Sequence, residues 1–127
     1  MSIELNHTIV HASDRDATAT FLTEILGLPH AGEYGPFRVV ELGNGVSLDV
    51  LHDPGAFQPQ HYAFLVGEED FDAILGRIQD RGLTYWADPH HHQEGRINHN
   101  DGGRGVYWEG PDRHNLEIIT VPYGGGA

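Results

Sequence analysis

The apolar positions along the first half of the chain change period twice. "ELNHTIVHA" (4–12) alternates as a strand does. "SDRDATATFLTEILGL" (13–28) then places Phe21, Leu22, Ile25 and Leu26 at helical spacing, with Ser13 or Asp14 able to cap the start and Gly27 to end it. "PFRVVELG" (36–43) and "GVSLDVLH" (45–52) return to strand periodicity around a "GNG" turn (43–45), and residues 30–35 have room for a further short strand. "DPGAFQPQ" (53–60) reads as a Pro/Gly linker. The order then restarts. "QHYAFLV" (60–66) predicts a strand, and "EEDFDAILGRIQDRGL" (68–83) a helix with Phe71, Ile74, Leu75 and Ile78 on one face. "LTYWA" (83–87), "RGVYWEG" (104–110) and "HNLEIITV" (114–121) predict three more strands. The "GGGA" tail carries no pattern and is expected to be loose.

A strand–helix–strands order thus occurs twice. The helices end alike, in "ILGL" and "DRGL". His7 and His61 take matching places in the opening strands of the two halves. Asp49 and Glu117 take matching places in the last strands. The interval from His61 to Glu117 exceeds that from His7 to Asp49 by the length of "DPHHHQEGRINHND" (88–101), which only the second half carries. A duplicated half-domain accounts for all of this.

Side chains alternate faces along a strand. His7 therefore shares a face with Ile9 and His11, His61 with Ala63 and Leu65, and Glu117 with Asn115 and Ile119. The opposite faces are apolar and suited to the helices. An ionised carboxylate in a half-buried strand is costly unless a positive group meets it. Two sheets curled toward each other would point His7, His61 and Glu117 into one cavity, where two imidazoles and a carboxylate suit Fe(II), and also Mn, Ni, Co or Zn. Asp49 is the pseudo-symmetric fourth candidate. His11 stands ~13 Å along the strand from His7 at ~3.3 Å per residue, too far for the same ion. His90, His91 and His92 read as a solvated loop, and His114 as a locally bonded turn neighbour. Tyr107 lies in the strand before Glu117 and could reach the cavity, where a phenol can donate a proton or hydrogen bond.

Bulk properties narrow the field. The chain has 127 residues, enough for one domain, and no Cys, so disulfides and thiolate metal sites are excluded. Nineteen acids against seven bases give a net charge of −12. That balance disfavours nucleic acid and permits a cationic ligand. No apolar run is long enough for a membrane helix, and the start lacks a signal-peptide pattern, so a cytoplasmic protein is expected.

From about residue 1 to 123 the chain resembles the vicinal oxygen chelate superfamily, the glyoxalase, bleomycin-resistance and extradiol-dioxygenase group. The matching pieces are "LNHTIVHASDRDATATFLTEILGL", "QHYAFLV" and above all "GVYWEGPDRHNLEII". The resemblance implies an α+β fold of two βαβββ modules (1–53 and 60–123) within a single domain, a cupped pseudo-symmetric mixed sheet, and a homodimer. It also implies one divalent ion on His7, His61 and Glu117, Fe(II) favoured. Dioxygenase-like members pair this triad with a Tyr ten residues before the Glu, the place of Tyr107. They also carry a G-R-H-x-N-D-like stretch, here "GRINHND", whose acid–base His aligns with Asn98, with His99 one place on. Arg113 stands where the turn usually has Gly and must take up an unfavourable backbone angle. Fosfomycin-resistance members carry a basic residue soon after the Glu strand, and "IITVPYGGGA" has none. The expected activity is metal-dependent dioxygenase-like or glyoxalase-like chemistry on a small oxygen-bearing substrate. The alternative is a metal-free resistance-type protein that sequesters a cationic small molecule.

Overall fold

The structure, a computed structural model, describes residues 2–124. The tail expectation for residues 125–127 therefore lies outside the described residues. The element order is β1 (His7–Ala12), α1 (Arg15–Leu26), β2 (Gly32–Tyr34), β3 (Phe37–Glu41), β4 (Ser47–His52), β5 (His61–Leu65), α2 (Glu68–Asp80), β6 (Tyr85–Trp86), a 3₁₀ turn (Asn100–Gly102), β7 (Gly105–Glu109) and β8 (Asn115–Ile119). The chain divides into two compact units, residues 1–58 and 59–127. Each is a βαβββ module. Their strand orders, β1-β4-β3-β2 and β5-β8-β7-β6, are the same arrangement repeated. In each the first strand runs parallel to the last and the other pairs are antiparallel.

In unit one, the Asp14 carboxylate accepts from the Ala17 N–H at 3.1 Å and caps α1. Gly27 ends the helix at φ 70°, a left-handed angle that costs glycine nothing. The helix buries Ala19, Leu22 and Ile25, with Thr18 and Thr23, against the face of the sheet carrying Val10, Val40, Leu48 and Val50. Phe21 and Leu26, expected in the stripe, are only half-buried, and the small residues take the tightest positions. Arg15 bonds Glu33 at 3.0 Å, and Arg38 bonds Asp16 at 2.9 Å, tying α1 to β2 and β3.

In unit two, α2 has no side-chain cap. Glu68, Glu69 and Asp70 in its first turn favour the positive end of its dipole instead. Phe71, Ile74 and Ile78 are buried, as are Val106, Trp108, Leu116 and Ile118 of the sheet. Arg104 reaches Glu68 and Asp72, both at 2.8 Å, and lies over the Phe71 ring at 4.3 Å, fixing the start of β7 to the helix. Arg113 takes φ 67° in the turn before β8, the strained angle expected of it. β6 is shorter than expected, because after Trp86 the chain leaves the ladder and folds back through a single bridge to Glu94.

Candidate metal centre

Strand register shows what each module brings together. In unit two, Ala63, Glu117, Tyr107 and Trp86 form one row across β5, β8, β7 and β6. Paired residues share a face, so these four point the same way. The next row on that face is His61, Asn115 and Glu109. In unit one the corresponding rows are Ile9, Asp49, Val39 and Gly32, then His7, Ser47 and Glu41. His7 is thus the register counterpart of His61, and Asp49 of Glu117.

Glu117 meets two groups. His61 Nε2 stands 2.9 Å from Glu117 Oε1. The Tyr107 hydroxyl donates to the same carboxylate, and the His61 ring stands edge-on to the Tyr107 ring at 5.8 Å. The Glu117 side chain is 14% exposed and that of His61 45%, so one edge of the pair is open. Burial, and then the hydrogen bond to the Glu117 carboxylate, push the Tyr107 phenol well above its usual range. At neutral pH Tyr107 is therefore a donor and not a base.

The donor set fits a divalent ion. Two ligands about 2.1 Å from one ion and at right angles to each other stand about 3 Å apart, close to the spacing of His61 Nε2 and Glu117 Oε1. In unit one, His7 Nδ1 is bonded to Asn6 Oδ1 at 2.7 Å, which sets Nδ1–H as donor and leaves the Nε2 lone pair for a metal. Asp49 accepts from Ser47 Oγ at 2.9 Å. Among the described residues no three His, Asp or Glu side chains are gathered as a metal-holding group. The structure brings together two of the three expected ligands, and His7 sits in the other unit.

His7, Asp49 and Glu41 line a hollow of about 590 Å³ whose walls all belong to unit one.

The segment 88–101 is built rather than solvated. The Asp88 carboxylate accepts from the N–H groups of His92 (2.9 Å) and Gln93 (2.7 Å). His91 takes φ 61°, stacks on Trp86 at 3.7 Å, and its Nε2 stands 2.9 Å from Asn115 Oδ1. Asn115 also donates to the Pro89 carbonyl at 3.3 Å, so its amide holds the loop at both ends. Trp86, His91 and Glu109 thus border the face that carries His61 and Glu117, a placement that no local pattern signals. Asn98 donates to the Ala87 carbonyl at 2.8 Å and packs against Gly105, where an added Cβ would come within 2.8 Å of it. The position aligned with the dioxygenase acid–base His is therefore a structural clamp. His99, one place on, is exposed, and its ring makes no hydrogen bond among the described residues. His114 is buried, and its Nδ1 accepts from the Gln60 N–H at 2.9 Å, a link across the sheet beyond the local contact expected.

Residues 4–118 match the glyoxalase/bleomycin resistance protein/dioxygenase superfamily, and the chain belongs to it. Among solved structures the chain is similar to oxidase ChaP-H2, at 63% identity and a TM-score of 0.96 with all of both chains covered. It is likewise similar to oxidase ChaP-H1, at 62% identity and 0.95, covering 98% of this chain and 100% of that one. A curated relative, the glutathione transferase FosA of Serratia marcescens, is 30% identical over 120 residues, 90% of this chain and 78% of that protein.

Proposed function

We propose that the protein is a metal-dependent oxidase of this superfamily, acting on a small oxygen-bearing substrate as a cytoplasmic homodimer. The observation that carries the reading is the His61–Glu117 pair, spaced as adjacent ligands and hydrogen-bonded to Tyr107. His7, with Nε2 left available, completes the set, and Asp49 is its neighbour in register. Full-length identity above 60% to two oxidases favours oxygen chemistry over glyoxalase-type isomerisation.

A divalent ion at these residues, Fe(II) foremost and Mn, Ni, Co or Zn otherwise, supplies Lewis acidity toward vicinal oxygens and, as iron, reactivity with O₂. The chain's own residues do the rest. Tyr107 holds the Glu117 carboxylate in one orientation and keeps its proton. Trp86 and His91 wall one side of the face. His99, one place beyond the position aligned with the acid–base His of dioxygenase-like members, is the candidate acid–base group.

A second reading, thiol transfer as in the named glutathione transferase, is favoured by the 30% identity. It is weakened by "IITVPYGGGA", which offers no Lys or Arg after Glu117 for an anionic substrate. The test is anaerobic loading with Fe(II), elemental analysis after desalting, and an oxygen-electrode trace with catechol as probe. Retained iron with catechol-dependent oxygen uptake is expected. Failure to retain Fe, Mn, Ni, Co or Zn would leave the metal-free binding protein as the account.

A further inference from the structure

The hollow of unit one carries a charge pattern that nothing in the family assignment requires. It combines an apolar wall of Phe37, Val39 and Tyr34 with the carboxylates of Glu33, Glu41 and Asp49. Glu33 is neutralised by Arg15 at 3.0 Å. Glu41 and Asp49 have no cation at ion-pairing distance among the described residues, and Asp49 meets only the neutral Ser47 hydroxyl. None of the described residues lining the hollow is Lys or Arg. Arg38, the other Arg of this unit, is engaged by Asp16, His30 and the carbonyls of Gly32 and Ala31. The volume suits a small organic molecule. His7 lies in its wall, so a molecule bound at His7 lies in the hollow.

We propose that this hollow receives the body of the substrate and selects by charge: a hydroxylated molecule with an apolar frame, neutral or cationic, and not a carboxylate, phosphonate or phosphate. Hydroxyl groups donate to Glu41 and Asp49, which as ionised carboxylates only accept. The frame lies on Phe37 and Tyr34. In the metal-free protein an anionic group placed there meets two carboxylates with no Lys or Arg in the lining to offset them. The proposal deepens the metal-site reading and rests on it only through the choice of His7's surroundings as the substrate's place.

Three aryl diols that differ in charge test it: dopamine, catechol and 3,4-dihydroxybenzoate. Each is titrated calorimetrically under anaerobic conditions into the metal-free protein and into protein loaded with redox-inert Zn(II). One unit charge about 6 Å from a carboxylate, at an effective dielectric of about 40, changes affinity roughly tenfold. Dopamine is therefore expected to bind about tenfold or more tighter than 3,4-dihydroxybenzoate, with catechol between. Glu41→Gln should shrink that ratio about threefold or more by removing one of the two charges. The order is read in the metal-free protein, so it stands even if Zn(II) fails to bind, whereas such failure counts against the metal site alone. An anion bound as tightly as the cation, a ratio indifferent to Glu41→Gln, or no diol binding in either form would overturn the proposal.

Discussion

Glu117 is placed by its strand and held by two neighbours with different consequences. His61 stands 2.9 Å away and is its partner in the proposed metal site, and Tyr107 is a donor that orients the carboxylate. Glu117→Gln keeps the shape and most hydrogen-bonding capacity while removing the charge. Its metal-free melting temperature should stay close to that of the parent, while metal affinity falls by about two orders of magnitude or more, a larger loss than is typical when an outer-shell partner is removed. Tyr107→Phe should weaken metal about tenfold and destabilise the fold by ~1 kcal/mol through the lost hydrogen bond, measured by metal titration and urea unfolding. The same phenol makes the metal-free protein sensitive to alkali. Its folded pKa is raised, so the folded chain keeps a proton that the unfolded chain releases above about pH 10. Stability from this group is complete below that pH and declines above it. Denaturant midpoints measured from pH 8 to 11 should fall less in Tyr107→Phe than in the parent.

Both helices, the β1, β3 and β4 strands and their counterparts β5, β7 and β8 were legible in the sequence because burial enforces one periodicity on each. Val10 and Ala12 against His11, or Leu116 and Ile118 against Glu117, alternate in the structure as in the pattern. Spacing alone also located His7 with His61 and Asp49 with Glu117, since duplicated modules repeat the register. The segment 88–101 was not legible. Its order depends on the Asp88 carboxylate capping two later N–H groups and on Asn115, some two dozen residues away, gripping Pro89 and His91. Such links leave no periodic trace. The same holds for His114, whose partner Gln60 belongs to the start of the module. If Asp88 organises the segment, Asp88→Ala should speed amide exchange at His92 and Gln93 while Leu116 and Ile118 in β8 remain protected. Unchanged exchange at those two amides would show that the Trp86–His91 stack holds the loop unaided.

Over the whole molecule one βαβββ arrangement is repeated in two units. Each βαβββ module offers a polar sheet face, and the candidate ligands are divided, His7 on one and His61 with Glu117 on the other. No helix among the described residues is long and apolar enough to cross a membrane. Ile3 (97%), Leu5 (67%) and Leu65 (61%) are large apolar residues left exposed on a single chain. For the homodimer proposed above, light scattering at micromolar protein should give the mass of a dimer.

If His7, His61 and Glu117 bind one ion together, metal stoichiometry across single variants reports it. His7→Ala, His61→Ala and Glu117→Gln are compared with the parent and with His99→Ala, a control outside the ligand set, after anaerobic Fe(II) loading and desalting. About one ion per chain is expected in the parent and in His99→Ala, and loss of retained iron in each of the other three. Retention at the parent level in any one of those three, or no retention in the parent, would contradict it.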